Sequence, residues 1–175
     1  MVKSALALGL LWLSACAHPR KQPLLEENPL QPVTVLPATP ALSEEVYVPV
    51  YSRLVYSEGR GGVELSALLT IRNTDAKAPI IVESVRYFDS TGKLLRDEVA
   101  GPSALGPLAT AMFLLKRSDE AGGAGASYVV RWRSSQEVTE PLIEAVMADL
   151  STSHSVAFTS RGLVTQRQRG AALPP

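Results

Sequence analysis

The chain has very few of the residues that build disulfide-stabilised or metal-binding proteins. Its 175 residues include one cysteine, Cys16, and two histidines, His18 and His154. A single cysteine forms no intramolecular disulfide, so an exported domain must be held together by its hydrophobic core. A zinc site takes three or four nitrogen or sulfur ligands, which two distant histidines do not supply. The composition therefore predicts no bound metal and no cofactor.

An excess of charge of either sign is also lacking, because 17 basic residues balance 17 acidic ones. Nucleic-acid-binding proteins concentrate positive charge, so nucleic acid is disfavoured as a partner. The Gly-x-Ser-x-Gly turn of many hydrolases is absent, and a Ser-His-Asp arrangement has only His154 to draw on. We therefore expect the protein not to be an enzyme.

The apolar run at the amino terminus, from Ala5 to Leu13, is far shorter than the roughly 20 residues that span a bilayer core. It follows the positive charge of Lys3 and precedes small residues. This three-part pattern is typical of a secretory signal, so residues 1–15 are predicted to be a signal peptide that is cut between Ala15 and Cys16.

The end of this signal, Leu13-Ser14-Ala15-Cys16, resembles the bacterial lipobox. The resemblance implies that the Cys16 thiol receives diacylglycerol, which makes the membrane a partner and the cell envelope the location. An ordinary signal peptide with an incidental cysteine is the alternative. Ala17 stands where an aspartate would resemble an inner-membrane retention signal. The periplasmic side of the outer membrane is therefore favoured, if the host has one.

Residues 16–44 are predicted to be the lipidated terminus and a linker, because prolines recur through them and disfavour both a helix and a sheet ladder. These prolines are Pro19, Pro23, Pro29, Pro32, Pro37 and Pro40. Such a spacer reaches up to about 80 Å at about 3.1 Å per residue. Residues 166–175 are polar and are predicted to be a frayed tail.

Residues 45–165 are predicted to form one antiparallel β-sandwich, immunoglobulin-like in size. Several segments alternate apolar and polar residues with the period of a half-buried strand. The predicted strands cover residues 46–56, 64–72, 80–88, 94–99, 109–116, 128–133 and 156–159. Pro49 suggests an edge strand or a bulge in the first of these. The segment 141–150 fits either a strand or a helix, and propensity slightly favours the helix.

A series of short motifs resembles a bacterial family known only as domain of unknown function 3124. The series includes Tyr47-Val48-Pro49-Val50-Tyr51-Ser52, Ile71-Arg72-Asn73-Thr74-Asp75, Tyr87-Phe88-Asp89-Ser90-Thr91-Gly92-Lys93-Leu94, Glu144-Ala145-Val146-Met147 and Phe158-Thr159-Ser160-Arg161-Gly162. The resemblance covers nearly all of residues 45–164. It implies a small secreted or lipid-anchored domain and favours a strand after Pro141. It transfers no catalytic residues.

Loop residues give the candidate surface for a ligand or partner, namely Arg72, Asn73, Asp75 and Arg161. The main hypothesis is a non-enzymatic interaction module whose partner is another envelope protein. The first alternative is a binder of a small ligand or envelope glycan, in which aromatic residues would line a groove, although core packing is their commoner role. These aromatic residues are Tyr47, Tyr51, Tyr56, Tyr87, Tyr128 and Trp132. The second alternative is a hydrolase whose site the sequence does not reveal.

Overall fold

Thirteen β-strands make up the described part of the chain. The computed structural model describes residues 28–36, 38–150 and 155–170, and within them only Ser57–Gly59 is helical, as one short 3-10 turn. The strands are β1 (Gln31–Pro32), β2 (Leu42–Val50), β3 (Arg53–Tyr56), β4 (Gly61–Glu64), β5 (Ser66–Arg72), β6 (Ile80–Phe88), β7 (Leu94–Asp97), β8 (Ser103–Leu105), β9 (Thr110–Leu115), β10 (Ala126–Ser134), β11 (Leu142–Asp149), β12 (Val156–Arg161) and β13 (Leu163–Arg169).

The strands form two packed sheets and a separate hairpin. The first sheet has the order β1-β8-β6-β10-β2-β13, and β7 also pairs with β6. The second sheet has the order β12-β11-β5-β9, while β3 and β4 pair only with each other. Every pairing is antiparallel. The predicted all-β antiparallel sandwich is therefore confirmed.

The core lies between the two sheets and is built by alternate residues of the long strands. In β2, Val46, Val48 and Val50 point inward, and in β11 every second residue from Ile143 onward is buried. Burying each large apolar side chain contributes about 1.5–3 kcal/mol. The largest fully buried side chains are Trp132, Tyr87, Tyr128, Leu65, Leu69 and Ile71. Three of the aromatic residues considered for a ligand groove are therefore core residues.

The ambiguous segment 141–150 is a strand, β11, as the family resemblance implied and against its helix propensity. It pairs with β12 on one side and β5 on the other. Half-buried and buried residues alternate strictly along Leu142–Asp149. The local preference for helix is weak and is overridden because two neighbouring strands satisfy the backbone.

The linker predicted for residues 16–44 is shorter than its prolines indicate. Gln31 and Pro32 pair with β8, and the side-chain oxygen of Asn28 accepts a hydrogen bond of 2.5 Å from the backbone nitrogen of Met112. Pro32 is tolerated because β1 is an edge strand, where a missing donor breaks no ladder. β2 also begins early, at Leu42. The segment 28–33 thus belongs to the sandwich.

The tail predicted for residues 166–175 is wrong over its first four residues. β13 pairs with β2 as far as Arg169, with Arg167 opposite Glu44. Every residue of β13 is exposed, so the strand carries none of the apolar alternation by which sequence reveals strands. Residues 171–175 lie outside the described part of the chain.

Gly162 connects β12 of the second sheet directly to β13 of the first. Its nitrogen donates to the Ile143 oxygen at 2.9 Å. A Cβ at this position would lie 2.5 Å from Cγ1 of Val46 and 3.0 Å from the Ile143 oxygen. The chain therefore crosses between the sheets at a point where only glycine fits, and this crossing closes one side of the sandwich.

The strand predicted for residues 46–56 is divided near Ser52 into β2 and β3. The backbone oxygen of Ser52 accepts a hydrogen bond from the Leu65 nitrogen at 2.8 Å, and its hydroxyl donates to the backbone oxygen of Gly123 at 2.6 Å. Pro49 pairs with Ser127 on one side of β2, while the pairing with β13 ends at Tyr47. β2 is thus an edge at Pro49, as its sequence suggested.

Candidate functional site

The outer face of the second sheet is apolar at its centre. Val146, Leu68 and Leu114 lie side by side on β11, β5 and β9, and Leu114 is 42% exposed. We call this surface the apolar face and define it by Leu68, Met112, Leu114, Leu142, Val146 and Ala148, the apolar residues that alternate with the buried ones on these strands. Glu144 and Thr70 point to the same side and separate Leu142 from the row of Val146, Leu68 and Leu114, so the apolar patch is centred on that row. Apolar patches on a protein surface mark interaction sites.

Two of the predicted surface residues, Arg72 and Arg161, lie at the edge of the apolar face. They flank β11 from its two sides, Arg72 opposite Leu142 and Arg161 opposite Glu144. Both are exposed, and neither has a hydrogen bond or ion pair among the described residues. The apolar face is therefore bordered by two arginines whose donors are available to a partner.

The outer face of the first sheet differs, because cross-strand ion pairs cover much of it. Arg131 pairs with Glu45 at 2.6 Å, Arg86 with Asp97 at 3.5 Å, and Arg133 with Glu83. Such exposed pairs contribute little to stability but keep a face solvated. The contrast distinguishes the two outer surfaces: the arginines of one are compensated, and those of the other are free.

Asn73, a third predicted surface residue, is structural and only 2% exposed. Its side-chain nitrogen donates to the backbone oxygens of Ala78, Leu105 and Gly106 at 2.8–3.1 Å. Its side-chain oxygen accepts from the Asp75 nitrogen at 3.0 Å. The amide therefore ties two loops together, and its burial keeps it away from a ligand at the surface.

Asp75, the fourth predicted surface residue, is also committed to the fold. One carboxylate oxygen accepts from the Lys77 and Ala78 nitrogens at 2.8 and 2.9 Å, and the other from the Thr139 nitrogen at 3.0 Å. The hydrogen bond from Lys77, followed by those from Thr139 and Ala78, holds the pKa of this carboxyl below its usual value. The sequence identified both residues as polar loop positions but not their inward direction.

A partly exposed polar cluster at one end of the first sheet had no signal in the sequence. Arg96 donates to Glu98 at 2.9 Å and to Asp119 at 2.8 Å, and its guanidinium carbon lies 4.6 Å from the centre of the Tyr87 ring. The Tyr128 hydroxyl donates to Glu98 at 3.1 Å. The charged groups are paired with one another, so the cluster serves the fold.

The two tyrosines of this cluster differ in their hydrogen bonding. The Tyr87 hydroxyl is buried and has no partner among the described residues, whereas that of Tyr128 is bonded to Glu98. Burial raises the pKa of Tyr87 to about 12 and raises that of Tyr128 as well. Both phenols are protonated at neutral pH, so neither acts as a base there.

A second polar cluster lies at the other end of the first sheet. Glu44 is 6% exposed and accepts from the indole nitrogen of Trp132 at 3.2 Å and from Arg167 at 2.6 Å. Arg167 also pairs with Glu140 at 2.9 Å. A buried carboxylate is tolerated only with such partners, so β13 contributes the charge that neutralises Glu44.

Neither a metal-binding cluster nor a membrane-spanning helix occurs among the described residues. These residues contain no group of three histidine, cysteine, aspartate or glutamate side chains placed to hold a metal ion. They also include no helix that is both long and apolar enough to cross a membrane. The predicted lipidation site Cys16, the predicted cut after Ala15, and His154 lie outside the described residues.

The fold places the protein in the class of two-sheet antiparallel sandwiches. Comparison with family models identifies the family within this class. The model of a family described as "Protein of unknown function (DUF3124)" matches residues 43–165. The chain belongs to this family, as the motif resemblance implied. The match covers β2 to the first part of β13, and so includes both arginines of the apolar face.

Other comparisons add little. No curated protein matches the sequence. Among solved structures, the chain is similar to the crystal structure of Thermotoga maritima 1070, at 13% identity and a TM-score of 0.40. The similarity covers 69% of this chain and 92% of that one. It supports no conclusion about fold or function.

Proposed function

We propose that the protein is a lipid-anchored, non-enzymatic module of the cell envelope that binds another protein through the apolar face. The observation that carries the proposal is the contrast between the two outer surfaces. One is covered by paired charges, whereas the other combines an apolar centre with the unpaired arginines Arg72 and Arg161. An apolar centre with a polar edge is the usual anatomy of a protein interface.

The partner that fits this surface has an apolar patch bordered by carboxylates. Arg72 and Arg161 each present a planar fork of donors that matches a carboxylate in a bidentate pair. Removing Leu114, Val146 and their neighbours from water supplies the binding free energy, at about 25 cal/mol per Å² of apolar surface. The arginines then set the orientation of the partner and suppress basic competitors.

The anchor limits where such binding takes place. If Cys16 carries the lipid, eleven residues lie between the anchor and Asn28, the first residue of the segment that lies on the sandwich. A fully extended chain from Cys16 to Asn28 spans roughly 40 Å. This distance is about half the reach of about 80 Å that a linker ending at residue 43 would have. The binding partner therefore lies in or close to the same membrane.

Charge reversal on the apolar face tests the proposed binding. We expect the variant Arg72→Glu/Arg161→Glu to lose, by about tenfold or more, a protein that crosslinks to the wild type in intact cells. The matched control is Arg60→Glu/Lys93→Glu, which makes the same change in net charge at exposed residues away from this face. If both variants lose the crosslinked protein equally, or if neither loses it, the apolar face is not the binding surface.

The anchor is tested separately by intact mass and membrane fractionation of the native protein and a Cys16→Ser variant. We expect the native form to carry diacylglycerol and to sediment with membranes, and the variant to do neither. A native protein that is unacylated and released from membranes contradicts the lipid anchor. That result would leave the binding face to be judged on the charge-reversal experiment alone.

A further inference from the structure

A cleft on the outer face of the first sheet lies on the opposite side of the sandwich from the apolar face. It has a volume of about 400 Å³. Tyr47, Val129 and Phe88 form its apolar walls, and the turn at residues 89–92 forms its rim. In the sheet, Tyr47 lies opposite Val129, and Phe88 opposite Ser127. The size is in the range of small-molecule sites.

Three hydroxyl groups that have no hydrogen-bond partner among the described residues line this cleft. They are those of Tyr47, Ser90 and Ser127. Ser127 is only 6% exposed, and it lines the cleft between Phe88 and Pro49 of the neighbouring strands. The Ser127 hydroxyl has no partner in the described part of the chain and is open to the cleft, so it can both donate a hydrogen bond to a bound molecule and accept one from it.

The rim of the cleft is held in a fixed shape. One oxygen of the Asp89 carboxylate accepts from the Thr91 nitrogen, the Thr91 hydroxyl and the Lys93 nitrogen at 2.7–2.9 Å. Gly92 closes the turn at a φ of +84°, a conformation that glycine adopts without strain. The second oxygen of Asp89 has no partner among the described residues, so it is available to accept hydrogen bonds from a ligand.

We propose that this cleft binds one unit of a neutral sugar. The free hydroxyls of Ser90, Ser127 and Tyr47 match the hydroxyls of a sugar, since each can both donate and accept. The Tyr47 and Phe88 rings cover the apolar C–H face of a sugar ring.

Charge limits the ligand class. Among the residues that the structure describes, Asp89 is the only charged one that lines the cleft. The hydrogen bond from the Thr91 hydroxyl, followed by those of the turn backbone, keeps its pKa below the usual value and the carboxylate ionised. An ionised carboxylate accepts strong hydrogen bonds from sugar hydroxyls and repels phosphate and carboxylate ligands. The proposal does not rest on the proposed function, because the apolar face belongs to the other sheet.

Calorimetric titration of the mature protein tests this inference, in a detergent without a sugar headgroup. Glucose, N-acetylglucosamine, maltose and cellobiose are titrated individually, with inorganic phosphate as the anionic comparison. We expect saturable binding of at least one neutral sugar and none of phosphate. The variant Tyr47→Ala is expected to weaken that binding by about tenfold or more, which corresponds to about 1.4 kcal/mol.

Two further variants separate loss of the site from loss of the fold. Tyr47→Phe keeps the ring and removes the hydroxyl, so we expect a smaller loss of affinity than with Tyr47→Ala. Tyr56→Ala removes an exposed tyrosine ring from the β3–β4 hairpin and should bind as the wild type does. The inference is overturned if no neutral sugar binds, if phosphate binds in the cleft, or if Tyr47→Ala and Tyr56→Ala behave alike.

Discussion

Arg72 and Asn73 are adjacent in the sequence, yet they have opposite roles in the fold. Arg72 ends β5 with its side chain in solvent at the edge of the apolar face, while Asn73 turns inward and joins two loops. The sequence identified both as polar residues where the predicted strand 64–72 meets the next loop. It did not separate them, because the direction of a side chain just beyond a strand depends on the turn that follows.

Replacing Asn73 tests its structural role. We expect Asn73→Ala to lower the free energy of unfolding by about 3 kcal/mol, because the buried backbone oxygens of Ala78 and Leu105 lose a donor. Lys77→Ala, an exposed change in the same loop, should alter it by less than about 0.5 kcal/mol. Urea unfolding measures both, and similar values for the two variants would contradict the role given to Asn73.

Removing a single hydroxyl distinguishes the two buried tyrosines. Tyr87→Phe should leave the free energy of unfolding unchanged or slightly higher at neutral pH, since this hydroxyl has no partner among the described residues. Tyr128→Phe breaks the hydrogen bond to Glu98 and should lower it by about 1.5 kcal/mol. The reverse order in urea unfolding would show that the Tyr87 hydroxyl is the stabilising one.

The raised pKa of Tyr87 predicts a loss of stability in alkali. The phenol ionises near pH 10 in the unfolded chain and near pH 12 in the fold. Between these values the unfolded chain binds fewer protons than the native one, so the free energy of unfolding falls as the pH rises. We expect Tyr87→Phe to reduce the slope of this fall between pH 10 and 12. An unchanged slope would contradict the raised pKa.

At the scale of the elements, alternation predicted the strands that have one buried side, such as β5, β9 and β10. It missed β13, which is wholly exposed, and β1, which is too short to show a period. β11 was ambiguous because its residues also favour a helix. Its identity depends on pairing with β5 and β12, which are distant in sequence.

The crossing from β12 to β13 at Gly162 leaves little room for a side chain. We expect Gly162→Ala to destabilise the fold by about 2–3 kcal/mol, because its Cβ would overlap Val46 and the Ile143 oxygen. Gly101→Ala is the control, since a Cβ there meets no atom within 4 Å. Thermal unfolding measures the stability of both variants. If Gly162→Ala is as stable as Gly101→Ala, the crossing has room for a Cβ and the close packing described for Gly162 is wrong.

At the scale of the whole molecule, the sandwich separates its polar and apolar surfaces. Each sheet buries one side, and the ion pairs Arg131–Glu45 and Arg133–Glu83 lie on the outer face of the first sheet alone. The amino-terminal segment bridges the two sheets, because Asn28 bonds to β9 and β1 pairs with β8.

The candidate site was predicted only in part. Sequence suggested Arg72 and Arg161 as surface residues, but their common face follows from the strand order β12-β11-β5 and its register. Val146, Leu68 and Leu114 are ordinary strand residues in the sequence, because their common face also depends on strand order. Strand order in a sandwich is set by contacts between distant segments, which local patterns do not encode.

Photo-crosslinking in intact cells tests the central claim, that the apolar face is the binding surface, most directly. A photoreactive amino acid replaces Val146 or Leu114 on the apolar face, or Ser43 on the first sheet. We predict a discrete adduct of one molecular mass from positions 146 and 114 and none from position 43. An adduct from position 43 alone, or none from positions 146 and 114, would contradict the account.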